Sequence, residues 1–293
     1  MAIRRPIVAG QFYGGTREQC LREIEACLAE GQYDGPLPDG IVAGIVPHAG
    51  WVFSGALAAM VFESIRKTRD GVDTFVIFGA VHSWYGSGEA AAVYDSGTWQ
   101  TPLGEVEVDA ELAQALIAAS GAAEANCSAH VREHSIEVQV PFIQHLFPQA
   151  KILPVMIAPT ELSAKLGTDA AGVIKAAGRK IVCIGSTDLT HYGPRYGFDP
   201  KGVGEKAVAW AKDVNDKALI SLAVGMEAER IVDVSEEKMN ACGAGAVAAT
   251  AAAARAMGRK QGVLLAHRHS NEVMKVKFGQ SNQESVGYAA IVY

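Results

Sequence analysis

Long apolar runs are absent from this 293-residue chain. No stretch reaches the roughly 20 apolar residues that a membrane-crossing helix needs. The Ala-rich run Ala244 to Ala254 makes only about three helical turns and carries no large side chains. A basic stripe is missing as well. The net charge is -6, Arg4 and Arg5 are too few to form one, and a nucleic-acid partner is not expected. Cysteine is scarce: five residues, an odd number without framework spacing, exclude a disulfide scaffold and fit a reducing compartment. The first residues lack the apolar core and cleavage site of a signal peptide, so a cytoplasmic location is the expectation. Neither a G-x-S-x-G elbow nor a Walker pattern occurs, which leaves serine hydrolase and P-loop chemistry without support. No internal repeat, low-complexity tract or linker divides the chain, and one domain over residues 1–293 is expected.

What is present is a large core-forming fraction, with 49% hydrophobic and 20% charged residues. The pattern of elements is α/β. Ile41 to Val46 is an apolar, β-branched run suited to a strand buried on both faces. Pro47 stops the ladder, His48 stands just beyond it, and an apolar helical pattern follows from about Ala56 to Lys67. Thr74 to Phe78 repeats the arrangement and ends in Gly79-Ala80-Val81-His82. Lys151 to Ile157 and Lys180 to Gly185 are further buried strands, joined by a crossover helix over Leu162 to Ala177. The second of these leads into Asp188 and His191. Other expected strands are Glu89 to Tyr94, Val263 to His267 and Val286 to Val292. Other expected helices are a first one capped by Thr16, Asp109 to Ala119, Ala129 to Phe147 interrupted at Pro141, Gly204 to Ala223, Glu227 to Val232, and one opened by Asn240-Ala241-Cys242-Gly243. The sum is a single α/β domain, a mostly parallel or mixed central sheet flanked by helices.

In open α/β sheets ligands lie beyond the carboxyl ends of strands, where His48, His82 and His191 all stand. Cys242 opens a helix, a position that lowers a thiol pKa and favours thiolate. Imidazole with thiolate suits a first-row transition metal such as iron, copper or zinc. Asp188, three residues before His191, is placed to orient an imidazole. Cys242 as a covalent nucleophile with His191 as its base is a second reading of the same residues. Cys20, Cys27, Cys127 and Cys183 fit buried, inert thiols. His130-Val131-Arg132-Glu133-His134 matches the H-x-x-E-H peptidase pattern, but no third ligand follows at helical spacing. His267 and His269 share one strand face, with a solvated edge as the plain expectation.

Taken together, PHAGWVFSG, FGAVH, EHSIEVQVPF, STDLTHYG, NACG and SVGYAA, preceded by RRPIVAGQFY, resemble the Memo family, and more narrowly its prokaryotic branch, AmmeMemoRadiSam system protein B. The resemblance implies a fold related to class III extradiol ring-cleavage dioxygenases, which hold Fe(II) with two His and one Glu beside an acid/base His. By position it implies metal ligands at His48 and His82, with Cys242 where the Glu would stand and His191 as the acid/base. His134 and Glu137, in the family's EHSIE stretch, would line or buttress the pocket, which leaves little of the peptidase reading. A thiolate is softer and more oxidisable than a carboxylate, so dioxygenase activity does not simply carry over. GAVH also departs from the family's more usual G-P-S-H while keeping the His. The resemblance implies a transition-metal cofactor, Fe(II) foremost with Cu or Zn as alternatives, and an oxidoreductase acting on a small molecule. The other class it leaves open is a binding or scaffolding module for peptides or phosphopeptides. The branch's name implies two companions, an AMMECR1-like protein and a radical SAM protein.

Overall fold

Val46 and Ser186 end neighbouring parallel strands in register, and Phe78 pairs with Gly185 on the other side. That pairing brings three loops to one edge of the molecule. The computed structural model describes residues 2–83, 91–280 and 282–293. Among these, the strands Ala43–Val46, Ile181–Ser186, Thr74–Gly79 and Lys151–Met156 lie side by side and parallel. Antiparallel strands flank them: Ser285–Val292 beside Ala43–Val46, and Ala91–Val93 beside Lys151–Met156. Val263–His269 and the short His191–Tyr192 both pair with Ser285–Val292, and Ala123–Ala125 closes the far edge. Among the described residues the sheet has nine strands and is mixed.

Period-2 alternation along the strands divides the core into two layers. Ile77, Val182 and Ile184 point to the layer formed with helices Arg17–Glu30, Trp51–Thr68 and Val140–Leu146. Val76, Phe78 and Cys183 point to the layer formed with Leu162–Ala177, Lys217–Gly225, Ala228–Lys238 and Ala244–Ala256. The Ala-rich sequence of the last helix has a packing cause. A Cβ on Gly167 would lie 2.0 Å from the Ala249 carbonyl oxygen, so this helix and Leu162–Ala177 meet backbone to backbone. Among the described residues no helix is long and apolar enough to cross a membrane.

Several elements differ from the sequence expectation. The segment 129–147 is two short 3₁₀ turns, Cys127–Arg132 and Glu137–Gln139, followed by the helix Val140–Leu146. Pro141 lies in the first turn of that helix, where a missing N–H costs nothing. The break falls instead at Glu133, which is extended and turns its carboxylate back onto the amides of His134 and Ser135. The helix Trp51–Thr68 begins immediately after Gly50, leaving a short loop for His48. The stretch expected to be one helix to Ala223 contains a π-type turn, Ala211–Asp216, and Ala228–Lys238 runs past the expected end at Val232. Of the strand expected from Glu89 to Tyr94, Ala91–Val93 is present and Glu89 and Ala90 fall outside the described residues.

The N-terminal arm is latched by ionic contacts. Arg4 is buried, stacks its guanidinium 4.4 Å over Trp99, pairs with Glu137 and donates to the Glu133 carbonyl at 2.6 Å. Glu137 also accepts from the backbone amides of Ile7 and Val8 and from the Tyr13 hydroxyl, each at about 3.0 Å. A buried carboxylate needs such partners, since desolvation without them costs several kcal/mol.

Candidate metal centre

Each loop at the carboxyl edge is tied to its neighbour by a side chain. Asp188 Oδ1 accepts the amides of His48 and Ala49 at 2.8 and 3.3 Å. Its hydrogen bonds therefore hold the His48 loop, and none goes to a ring nitrogen of His191, the partner its spacing suggested. His48 Nδ1 lies 3.0 Å from Ser186 Oγ, whose own proton goes to the Ser135 carbonyl at 2.7 Å. The hydroxyl can then only accept from Nδ1, which leaves the lone pair of a neutral His48 on Nε2. His82 follows the same logic. Its Nδ1 is 3.0 Å from Glu133 Oε1, and its amide donates to Glu133 Oε2 at 2.9 Å, so Nε2 is again the free nitrogen. Carboxylate and hydroxyl partners of this kind orient metal-binding imidazoles.

Cys242 sits just before Gly243, the residue that opens the helix Ala244–Ala256. Gly243 is required there, since a Cβ would stand 2.4 Å from the Ser186 carbonyl oxygen. Cys242 Sγ lies 3.1 Å from His48 Nε2 and accepts the Asp188 amide at 3.3 Å. His134 stacks on His82 with ring centres 4.6 Å apart and stands 5.4 Å from His48. One ring nitrogen from each of His48, His82 and His134 falls within a mutual 4.8 Å. His134 thus stands among the donors as well as in the wall. His191 lies at the side of the same cleft, edge-on to Tyr196, and its Nε2 is buried without a hydrogen-bond partner. The cleft above encloses about 550 Å³, and Phe12, Phe53 and Tyr288 form part of its wall.

The charges are strongly coupled. Burial acts to raise the Cys242 thiol, but His48, His191 and His82 outweigh it and hold the group well below the ordinary thiol range. Burial acts to lower His82, and the nearby Cys242 and Glu133 reverse this and push it up to about 10. Burial likewise opposes a charge on His48 and on His191, and Cys242 turns both shifts upward. Glu133 is held well below the carboxylate range: burial acts against its charge, but His82 and the backbone amides prevail. His134 goes the other way, lowered to about 4 by burial and by its two imidazole neighbours. The remaining buried cysteines contrast with Cys242, since burial pushes Cys20, Cys27 and Cys183 up to about 12.

This donor set could hold a metal ion. Two imidazoles present free nitrogens with their outer nitrogens fixed, a thiolate-forming cysteine faces them, and a buried imidazole nitrogen beside them lacks a partner. Glu137 is elsewhere: it holds the N-terminal arm and does not line the cleft. His130 is elsewhere too, fully buried with its Nε2 2.9 Å from the Ala92 carbonyl, so the H-x-x-E-H pattern does not gather both imidazoles. Sequence reasoning passed over Glu133 and Ser186. The peptidase-like pattern drew attention to the histidines around Glu133, and a serine at a strand end carries no signal by itself. The expectation of a solvated edge for His267 and His269 is overturned, because both rings are buried against Asp216.

A family model described as Memo-like protein matches residues 4–292. A MEMO1 family protein of Methanopyrus kandleri is 35% identical over 303 residues, covering 99% of this chain and 98% of its own. One from Thermococcus onnurineus is 38% identical over 304 residues, with 99% of each chain covered. A solved structure of an uncharacterized Escherichia coli K12 protein is similar over 84% of this chain and 99% of its own, at 11% identity and a TM-score of 0.49, too distant to carry anything further. With the family model spanning all but a few terminal residues and full-length relatives above 30% identity, the chain belongs to the Memo-like protein family.

Proposed function

We propose that the cleft is the active site of a metal-dependent oxidoreductase acting on a small molecule, with His48, His82 and Cys242 as metal ligands. The observation that carries this reading is the Cys242 sulfur 3.1 Å from a His48 nitrogen whose partner nitrogen is already fixed by Ser186. Fe(II) is the ion we favour, with copper or zinc as the alternatives. When bound, such an ion supplies Lewis acidity and, for iron or copper, one-electron chemistry with dioxygen. The protein's own part is orientation and proton transfer. Ser186 and Glu133 hold the two imidazoles, and Asp188 fixes the His48 loop through its amides. Phe12, Phe53 and Tyr288 give a flat molecule apolar walls. His191, whose buried Nε2 has no hydrogen-bond partner, stands at the side of the cleft where it can exchange a proton with a substrate hydroxyl. His134, lowered to about 4, stays neutral at pH 7 and offers either a further donor or a neutral wall.

The test is metal content followed by reconstitution. Protein purified without added metal is analysed by mass spectrometry, beside Cys242→Ser and Cys183→Ser, and then loaded anaerobically with Fe(II). The expected result is clearly less metal in Cys242→Ser than in the unaltered chain or in Cys183→Ser, because a ligand thiolate contributes directly to affinity and a packed thiol does not. Nitric oxide should then bind the loaded iron and give an iron–nitrosyl paramagnetic signal, the mark of an open coordination position. Equal metal in all three proteins would remove Cys242 from the ligand set. No nitrosyl signal would remove the open site and favour a binding module.

A further inference from the structure

Outside the cleft, one other group of metal-binding side chains converges among the described residues. His267 and His269, two apart on the strand Val263–His269, project to the same side, as strand periodicity requires. Asp216, the last residue of the π-type turn Ala211–Asp216, meets them there. Its Oδ2 is 2.8 Å from His267 Nε2 and 2.7 Å from His269 Nε2. All three side chains are buried: Asp216 is 0% exposed, His269 1% and His267 8%. One donor atom from each lies within 4.8 Å of the others.

We propose that Asp216, His267 and His269 form a second divalent-metal site, of zinc type, separate from the cleft. The chemistry of the three groups fits. Two imidazole nitrogens and one carboxylate oxygen make a borderline-soft N₂O set that zinc takes with one water. The surrounding bonds are those that orient ligands. His269 Nδ1 is 2.8 Å from Ser285 Oγ, and the other Asp216 oxygen accepts the Thr190 amide at 3.0 Å. The π-type turn matters here, since a local widening of a helix re-aims a side chain and such turns gather at sites. Gly287 makes room for the Asp216 carboxylate: a Cβ there would lie 2.0 Å from Asp216 Oδ2. Donors bound at about 2.0–2.1 Å to one tetrahedral ion stand roughly 3.3 Å apart, so the group would open by about half an ångström.

The position gives the site a consequence. Thr190 precedes His191, and His191–Tyr192 pairs with Ser285 and Val286. An ion held by Asp216 and the two histidines would clamp the edge of the sheet that carries His191 to the helix Lys217–Gly225, which follows the π-type turn. The inference does not depend on the reaction proposed for the cleft.

The experiment uses the full chain with the cleft ligands removed as His48→Ala/His82→Ala, dialysed against micromolar Zn(II). About one zinc per chain should remain, and thermal unfolding should shift upward on zinc addition. Adding His267→Gln or Asp216→Asn should weaken that zinc by roughly 100-fold, the upper range even for outer-shell losses. No zinc at micromolar concentration, or zinc that both further substitutions leave equally tight, overturns the site. Cobalt tests the site without any substitution. A Cys242 site produces a near-ultraviolet thiolate-to-cobalt band and the second site only weak visible bands. In the unaltered chain the two sets of bands should saturate at different equivalents of Co(II), and joint saturation at a single equivalent overturns the proposal.

Discussion

Replacing Glu133 by glutamine keeps the side chain's size and removes its charge. Glu133 is 1% exposed and accepts four N–H groups: the His82 amide at 2.9 Å, His82 Nδ1 at 3.0 Å, the His134 amide at 2.9 Å and the Ser135 amide at 2.7 Å. Three of these donors share Oε1 and the His82 amide is on Oε2, so a glutamine keeping its oxygen at the first position turns an NH₂ group that cannot accept toward the His82 amide. Each hydrogen bond to a charged group is worth about 1.5–3 kcal/mol, and losing one outright together with the charge behind the other three in a buried site costs about 3–5 kcal/mol. That is a large share of the roughly 5–15 kcal/mol by which a domain of this kind is stable. Urea unfolding of the metal-free protein at pH 7 measures it. The sign with pH is set by the depressed folded value of Glu133. Its contribution is complete above the unfolded carboxylate value of about 4.3 and drains away as pH falls below it, so the gap between the two proteins should narrow in acid. Metal affinity, read by competition with a chelator, should fall about 10–100-fold because His82 loses the partner that orients it. A stability loss under about 1 kcal/mol together with unchanged metal affinity would refute the role given to Glu133.

In the metal-free protein at pH 6, iodoacetamide should modify Cys242 and leave Cys20, Cys27 and Cys183 untouched, because only the Cys242 thiol is lowered while the others stand near 12. Peptide mass mapping reads the result, and added metal should protect Cys242. His191→Ala should keep most of the bound metal, by mass spectrometry, while turnover of an identified substrate falls roughly 10²–10⁴-fold, the usual size of a lost acid/base. Loss of the metal in that variant would make His191 a ligand. Gly167→Ala should destabilise the fold by about 1–3 kcal/mol in urea, since its Cβ would press on the Ala249 carbonyl at 2.0 Å and one of two packed helices must move. A neutral result would show that the two helices are not in backbone contact.

What the sequence by itself determined is local. Buried runs such as Ile41–Val46 and Thr74–Phe78 have no alternative to a doubly covered strand, and Pro47 or Gly79 ends each one just before a histidine. The cysteine at a helix start was equally visible, because capping and turn chemistry act within a few residues. Tertiary structure decided which of these ends meet. Strand order set Ile181–Ser186 between Ala43–Val46 and Thr74–Gly79, and only then did His48 and His82 converge with His134 and the Cys242 sulfur come within 3.1 Å of His48. It also decided the partners. Asp188 was near His191 in sequence, yet its hydrogen bonds went to the His48 loop, 140 residues away. Glu133 broke an expected helix because four amide and ring donors outcompeted helical propensity. His267 and His269 belong to an edge strand by pattern and to the interior by contact, since Asp216 lies 51 and 53 residues away and no periodicity records so distant a carboxylate. Secondary structure follows from interactions along the chain, whereas a polar side chain buried in the core takes the partner that the fold brings to it.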